Sequence, residues 1–340
     1  MTSFMKDSDE RVLKIAIIGL GKMGLLHASL LNVLPNVKLA ALCDKSAMTR
    51  KFCKRVFEGV HLVGDVEELS DLRLDAVYVT TPISSHFFVI RTLYSKGIAR
   101  NVFVEKTLAS SYDKANELCR LAQSLGGVNM VGYQRRLNVS FMKAKDLLTQ
   151  GTIGQVASFN AYAYSSDLLG SRKNSKTSVF RGGVLRDLGA HVVDLALWFF
   201  GDLTVDSAKL ESTIERDFED SVYFRVKGSD DLEGEFNISW CMESYRLPEF
   251  GLLIKGSKGF MRVDEDKVEL KLDNGKSSMW YRHDLNDNVD FLLGAPEFSR
   301  EDQYFVKSVL EGCNAEPSFY TASKVDYIID QVKYGASKNE

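Results

Sequence analysis

The chain has 340 residues, 45% hydrophobic and 26% charged, with a formal net charge of -3 and a pI near 6.0. That length accommodates two domains, and the slight negative charge gives no general attraction for nucleic acid or an anionic membrane. Cys43, Cys53, Cys119, Cys241 and Cys313 form no CxxC pair, the first eleven residues carry no apolar leader, and no apolar run has membrane-spanning length; a cytoplasmic protein without a zinc site or disulfide framework is expected.

Between residues 13 and 131, short apolar runs alternate with helical patterns: LKIAII, VKLAALC, DAVYVT, NVFVE and VNMVG. This alternation predicts a parallel, doubly wound sheet. The first strand runs into Gly19-Leu20-Gly21-Lys22-Met23-Gly24, and a helical stretch follows. In that setting Gly19 permits a tight turn, Gly21 lets a pyrophosphate approach the backbone, and Gly24 lets helix pack on strand. Asp44 ends the second strand, where a carboxylate suits the ribose hydroxyls of NAD. Its neighbours Lys45 and Arg50 keep NADP possible. The strand ending at Thr80-Thr81-Pro82, with His86 beyond it, and the strand ending at Glu105-Lys106 also present their carboxyl ends, the side on which open parallel sheets bind ligands.

The segments QVASFNAYAYS, VDSAKLEST, SVYFRVKG, EGEFNISWC, GLLIKGS, GFMRVD and KVELKL mostly alternate apolar and polar residues, as half-covered antiparallel strands do. The loop after the first of these carries Arg172, Lys173, Lys176 and Arg181, a candidate phosphate-binding group or merely a solvated basic loop. Next comes a stretch read as a helix from Arg181 to Asp194. Four residues apart on a helix, Asp187 and His191 share a face and can meet one substrate hydroxyl. Histidine is the side chain suited to proton transfer near neutrality. Gly189 between them suggests that something approaches that turn closely. The plain alternative is a buried amphipathic helix, since Val192, Val193, Leu195, Leu197, Trp198 and Phe199 follow. The closing segments SREDQYFVKSVLEG and TASKVDYIIDQVKYGA read as helices capped by Ser299 and Thr321.

In order and spacing, these residues resemble the Gfo/Idh/MocA oxidoreductases across almost the whole chain: Gly19-x-Gly21-x-x-Gly24 with His27, Thr81-Pro82 with His86, Glu105-Lys106, Gly132-Tyr133-Gln134-Arg135-Arg136, Gly151-Thr152-Ile153-Gly154, and Gly182-Gly183 leading to Asp187, Gly189, His191 and Asp194. The resemblance implies an α/β protein with a Rossmann domain over 1-131 and an α/β domain over 132-340, the latter built on a large open, mainly antiparallel sheet that supports homodimers or homotetramers. It implies an NAD(P)-dependent oxidoreductase moving a hydride between the nicotinamide and a ring hydroxyl or keto carbon of a sugar, polyol or nucleotide sugar. Lys106, Asp187 and His191 would be catalytic. The cofactor would be held by Gly19, Gly21, Lys22, Met23, Gly24, Asp44, Lys45, Thr81, Pro82, His86, Glu105 and Lys106, and substrate would meet Gln134 and Arg136. Relatives usually carry proline after Glu-Lys. Thr107 stands there, and a cis bond without proline costs about 2.5 to 4 kcal/mol, so a trans Lys106–Thr107 peptide is expected. Two alternatives within this fold are an NAD-dependent glycosidase without net redox and a non-catalytic sugar or nucleotide sensor.

Overall fold

A computed structural model describes residues 11–169, 182–214, 218–287 and 296–336. They form two compact units. One comprises the described residues up to Gly132 together with Phe298–Tyr320; the other comprises Tyr133–Glu297 and the described residues from Thr321. A single division at 131/132 therefore needs correction, because Phe298–Tyr320 belongs with the first unit.

The first unit is built on β1 (Leu13–Ile18), β2 (Val37–Cys43), β3 (His61–Val63), β4 (Ala76–Val79), β5 (Asn101–Glu105) and β6 (Asn129–Gly132), with α1 (Lys22–Leu31), α2 (Ala47–Val56), α3 (Ile83–Ser95) and α4 (Tyr112–Leu125). Strand order is β3-β2-β1-β4-β5-β6, and every pairing is parallel. Apart from one exposed position, β1 is wholly buried; helices on both faces of such a sheet require apolar residues on both sides of a strand. The order reverses between β1 and β4, and β1 and β4 lead into the two turns singled out in the sequence.

The second unit starts with α5 (Val139–Thr149) and β7 (Val156–Tyr164), and continues through α6 (Ala190–Phe200), β8 (Thr204–Glu211), β9 (Ser221–Lys227), β10 (Glu233–Ser239), β11 (Glu249–Gly256), β12 (Gly259–Asp264), β13 (Lys267–Leu272) and β14 (Ser277–Tyr281). The sheet order is β14-β13-β12-β11-β7-β10-β9-β8, antiparallel except where β7 meets β10. Phe159, Phe224, Phe236, Ile238, Leu252 and Ile254 are buried on its covered face. On the other face Leu253, Phe260 and Met279 are exposed. The α6 helix lies on β7 and β11.

The chain closes with α7 (Pro296–Glu311) and α8 (Phe319–Ala336). Ser299 and Thr321 lie inside these helices rather than capping them; α7 opens on Pro296, whose missing N–H costs nothing at a first helical position. Among the described residues no helix is long and apolar enough to cross a membrane.

Candidate active site

In the first unit the glycine turn fits a dinucleotide. Gly19 has φ +95°, a conformation that favours glycine. A Cβ on Gly24 would overlap the Gly19 carbonyl and the Thr80 hydroxyl, whereas the space over Gly21 is open. The Thr80 Oγ1 donates to the Gly19 carbonyl at 2.6 Å, locking the turn from β4. Gly21 caps α1 with no side-chain cap hydrogen bond, leaving the first-turn N–H groups and the positive end of the helix dipole for an anion. Lys22, exposed, and Met23, half-buried, are the first two residues of α1.

Asp44 stands just past β2. Its Oδ2 accepts from the Leu20 N–H at 2.7 Å and its Oδ1 from the Ser46 N–H at 2.7 Å. The carboxylate is thus tied to the glycine turn, with lone pairs remaining for ribose hydroxyls. Lys45 is exposed. The Arg50 guanidinium turns to the Asp44 and Lys45 carbonyls at 2.5 and 3.0 Å.

Thr81 follows β4, and Pro82 caps α3. His86 is fully buried, with Nδ1 2.8 Å from the Thr107 carbonyl and Nε2 2.7 Å from the Thr81 carbonyl. Burial pushes its imidazole below the ordinary value, against the pull of those two carbonyls. Both ring nitrogens lie against backbone carbonyls, so His86 sits between the Thr81 and Thr107 segments. Glu105 ends β5, and Lys106 follows, half-buried. The Lys106–Thr107 peptide is cis, contrary to the expected trans bond. Thr107 is buried, its hydroxyl donating to the Ala109 carbonyl at 3.0 Å and its own carbonyl held by His86.

The second unit carries the candidate acid-base residues. Gly182 and Gly183 have φ of +78° and +88°, and a Cβ on Gly183 would run into the buried Glu219 carboxylate. The chain then makes a π-helical turn, Leu185–Gly189, before α6 begins at Ala190. The expected continuous α-helix is thereby corrected: a turn bonded i to i+5 is wider, so Asp187 and His191 are set by a π turn, a feature frequent at functional sites. Gly189 is corrected too. A Cβ there would meet the Ile238 and Leu185 side chains, so its smallness serves packing on β10. Asp187 is half-buried and His191 buried. The His191 ring meets Tyr133 and Phe250 edge to face, at 6.2 and 5.4 Å between centroids. Burial pushes the Tyr133 phenol well above its ordinary value, with Asp326 and Asp194 adding to the shift; Tyr133 therefore holds its proton.

Gln134 opens the short 3-10 turn Gln134–Leu137, half-buried. Arg136 is not a substrate ligand in this arrangement: its Nε and Nη2 donate to Asp194 Oδ2 and Oδ1 at 2.8 and 2.6 Å, and both residues are buried. Arg135, which the sequence alone does not single out, also belongs to this site. Its guanidinium lies 3.4 Å above the Phe250 ring centre, with Nε 3.2 Å from Glu265 Oε1. Burial pulls it down, and the charges of Glu265, Glu297 and Asp187 pull it back up. A doubled arginine after Gly132 was its only sequence signal; nothing local to Phe250 links that residue to the site. The basic group Arg172, Lys173, Lys176 and Arg181 lies outside the described residues.

Residues 13–133 match the family model of oxidoreductases with an NAD-binding Rossmann fold, and residues 141–262 match the GFO/IDH/MocA C-terminal domain. An uncharacterised oxidoreductase of Schizosaccharomyces pombe is 28% identical over 284 residues, covering 78% of this chain and 74% of that protein. The NADP-dependent scyllo-inositol 2-dehydrogenase of Bacillus subtilis is 27% identical, covering 56% of this chain and 52% of its own. The D-glucoside 3-dehydrogenase of Escherichia coli is 26% identical, covering 59% and 57%. The structure of a levoglucosan dehydrogenase in complex with NADH superposes with a TM-score of 0.85 at 19% identity, over 97% of this chain and 98% of that one. The glycine turn, the two-sheet architecture and the paired domain matches agree: the chain belongs to the Gfo/Idh/MocA oxidoreductases, an enzyme family with an NAD-binding Rossmann domain.

Proposed function

We propose that the enzyme oxidises a secondary ring hydroxyl of a sugar, polyol or nucleotide sugar, or reduces the matching ketone, with NAD preferred over NADP. The observation that carries this reading is the Asp187–His191 turn in the second unit, with His191 packed between Tyr133 and Phe250 and the Arg135 guanidinium stacked on the same Phe250 ring. Relatives named for inositol and glucosides, and a structural neighbour named for levoglucosan, support the substrate class. Asp44 supports NAD, because a carboxylate at that place repels a 2'-phosphate.

When bound, the nicotinamide takes or gives the hydride, and the protein supplies binding, orientation and proton transfer. In the oxidising direction the substrate carbon loses a hydride and its hydroxyl loses a proton to His191, leaving a ketone. Asp187 orients that hydroxyl and balances the imidazolium that forms. Lys106 donates a hydrogen bond to the substrate oxygen, and Gln134 contacts the ring. Tyr133, which keeps its proton, shapes the wall beside His191. The Gly19–Gly24 turn receives the pyrophosphate. We also place the protein in the cytoplasm, as a homodimer or homotetramer in which a second copy covers the open sheet face.

The test is a screen of polyols, aldoses, glucosides and nucleotide sugars with NAD and NADP, followed by His191→Ala. Turnover should fall by about 10² to 10⁴, the usual worth of a general base, while NADH binding, followed by fluorescence, is unchanged. Unaltered turnover in that variant removes the assignment. Free sugar released without net NADH would instead show a glycosidase.

A further inference from the structure

His27 belongs to the glycine-turn motif, yet no step above uses it. It lies on α1, completely buried, with the rings of Tyr78, Phe103 and Phe298 around it at centroid distances of 5.5, 5.2 and 6.0 Å. An ionisable side chain in such a place must be paired, and both its nitrogens face carboxylates: Nδ1 is 2.8 Å from Asp302 Oδ1 on α7, and Nε2 is 3.2 Å from Glu105 Oε1 at the end of β5. As the imidazolium the ring donates one N–H to each carboxylate. Burial pulls its affinity for a proton down, but the charges and hydrogen bonds of Asp302 and Glu105 outweigh that pull, so the ring is held well above its ordinary value. The other oxygen of Glu105, Oε2, accepts the backbone N–H of Lys106 at 3.2 Å. A Cβ on Gly132 would touch that same oxygen, so β6 also borders the carboxylate.

We propose that His27 is a positioning residue for Lys106: Asp302 holds His27, His27 holds one oxygen of Glu105, and the second oxygen holds the Lys106 amide from which the lysine side chain departs. The proposal rests on the reading of Lys106 as a hydrogen-bond donor to substrate, and it explains why a buried charge chain ends at that residue. A carboxylate gripped on one side only would rotate, and the lysine would lose its fixed root; catalytic groups need placement within about 0.5 Å.

The test uses the NAD-loaded enzyme with its lysines ¹³C-dimethylated, the Lys106 signal being assigned by its loss in Lys106→Arg. In His27→Gln and in Asp302→Asn the Lys106 resonance should move by more than its linewidth while those of Lys51, Lys54 and Lys258 stay. Asp302→Asn keeps His27 and the local volume, so it carries the test should His27→Gln not fold. With a substrate from the screen, either variant should lower kcat by about 10²-fold, the loss expected from misplacement of about 1 Å, with KM for NAD unchanged and with no further loss in a Lys106→Met background. A Lys106 resonance unmoved in both variants, or a loss that adds fully to that of Lys106→Met, overturns the proposal. If Lys106→Met itself retains full kcat, the catalytic reading of Lys106 falls, whereas the resonance still decides whether His27 positions it.

Discussion

Arg135 and Arg136 are adjacent in the chain and opposite in role. In a 3-10 turn successive residues are about 120° apart, so one guanidinium reaches Phe250 and the other enters the α6 interface to meet Asp194. Composition cannot separate them, because the turn geometry alone decides which arginine is consumed by a carboxylate. That is why the motif is legible in the sequence while the difference between Arg135 and Arg136 is not. Removing one partner of a buried ion pair leaves an uncompensated charge, at a cost of about 3 to 5 kcal/mol. Arg136→Met should therefore reduce stability by that amount in urea denaturation, and the double variant Arg136→Met/Asp194→Leu should recover much of it. A raised KM for substrate at unchanged stability would return Arg136 to the binding site.

At the scale of elements, the decisive piece is the turn from Gly182 into α6. Its helical character was legible in the run of apolar residues that follows His191, and so was the candidate acid-base pair. The π turn was not, because i to i+5 bonding is imposed by how Leu185–Gly189 beds on β10, and no local pattern encodes it. The short edge strands β3 and β14 escaped for a related reason: His61–Val63 is only three residues long, and Ser277–Tyr281 is largely exposed, so neither carries a strong alternation. Gly189 separates the packing account from a ligand account. Gly189→Ala gains about 1 kcal/mol of helix propensity, but its methyl would press on Ile238 and Leu185, and overpacking costs about 1 to 3 kcal/mol. A net loss of stability is expected, largely reversed by adding Ile238→Val, which deletes the Ile238 methyl that the new Cβ would meet. NADH affinity should be unaffected in both. If Gly189→Ala instead abolishes turnover at full stability, the glycine serves substrate passage after all.

Across the molecule, the residues from Phe298 to Tyr320 return to a core begun at residue 13. Phe305, Val306 and Val309 share a buried cluster with Leu13, Ile15 and Ile17, and Phe305 stands edge-on to Tyr78 and Phe103. The amphipathic pattern of α7 showed that it covers something, but a stripe of apolar residues does not say which sheet it will cover, so a linear domain division missed the return. Asp302 on that helix and His27 on α1 are 275 positions apart, and their pairing makes the stability of the first unit depend on pH. The ordinary histidine value is about 6.5. His27, lowered by burial but raised more by Asp302 and Glu105, lies well above it in the folded protein. The folded state thus binds the proton more tightly than the unfolded one, so the pair's contribution is complete below about 6.5 and is lost as pH climbs through the folded value. Thermal midpoints measured from pH 6 upward should decline along the alkaline limb, and His27→Gln, lacking the imidazolium, should show a shallower decline over the same interval. Parallel curves for the two proteins would mean that the imidazolium bridge is not what ties α7 to the first sheet.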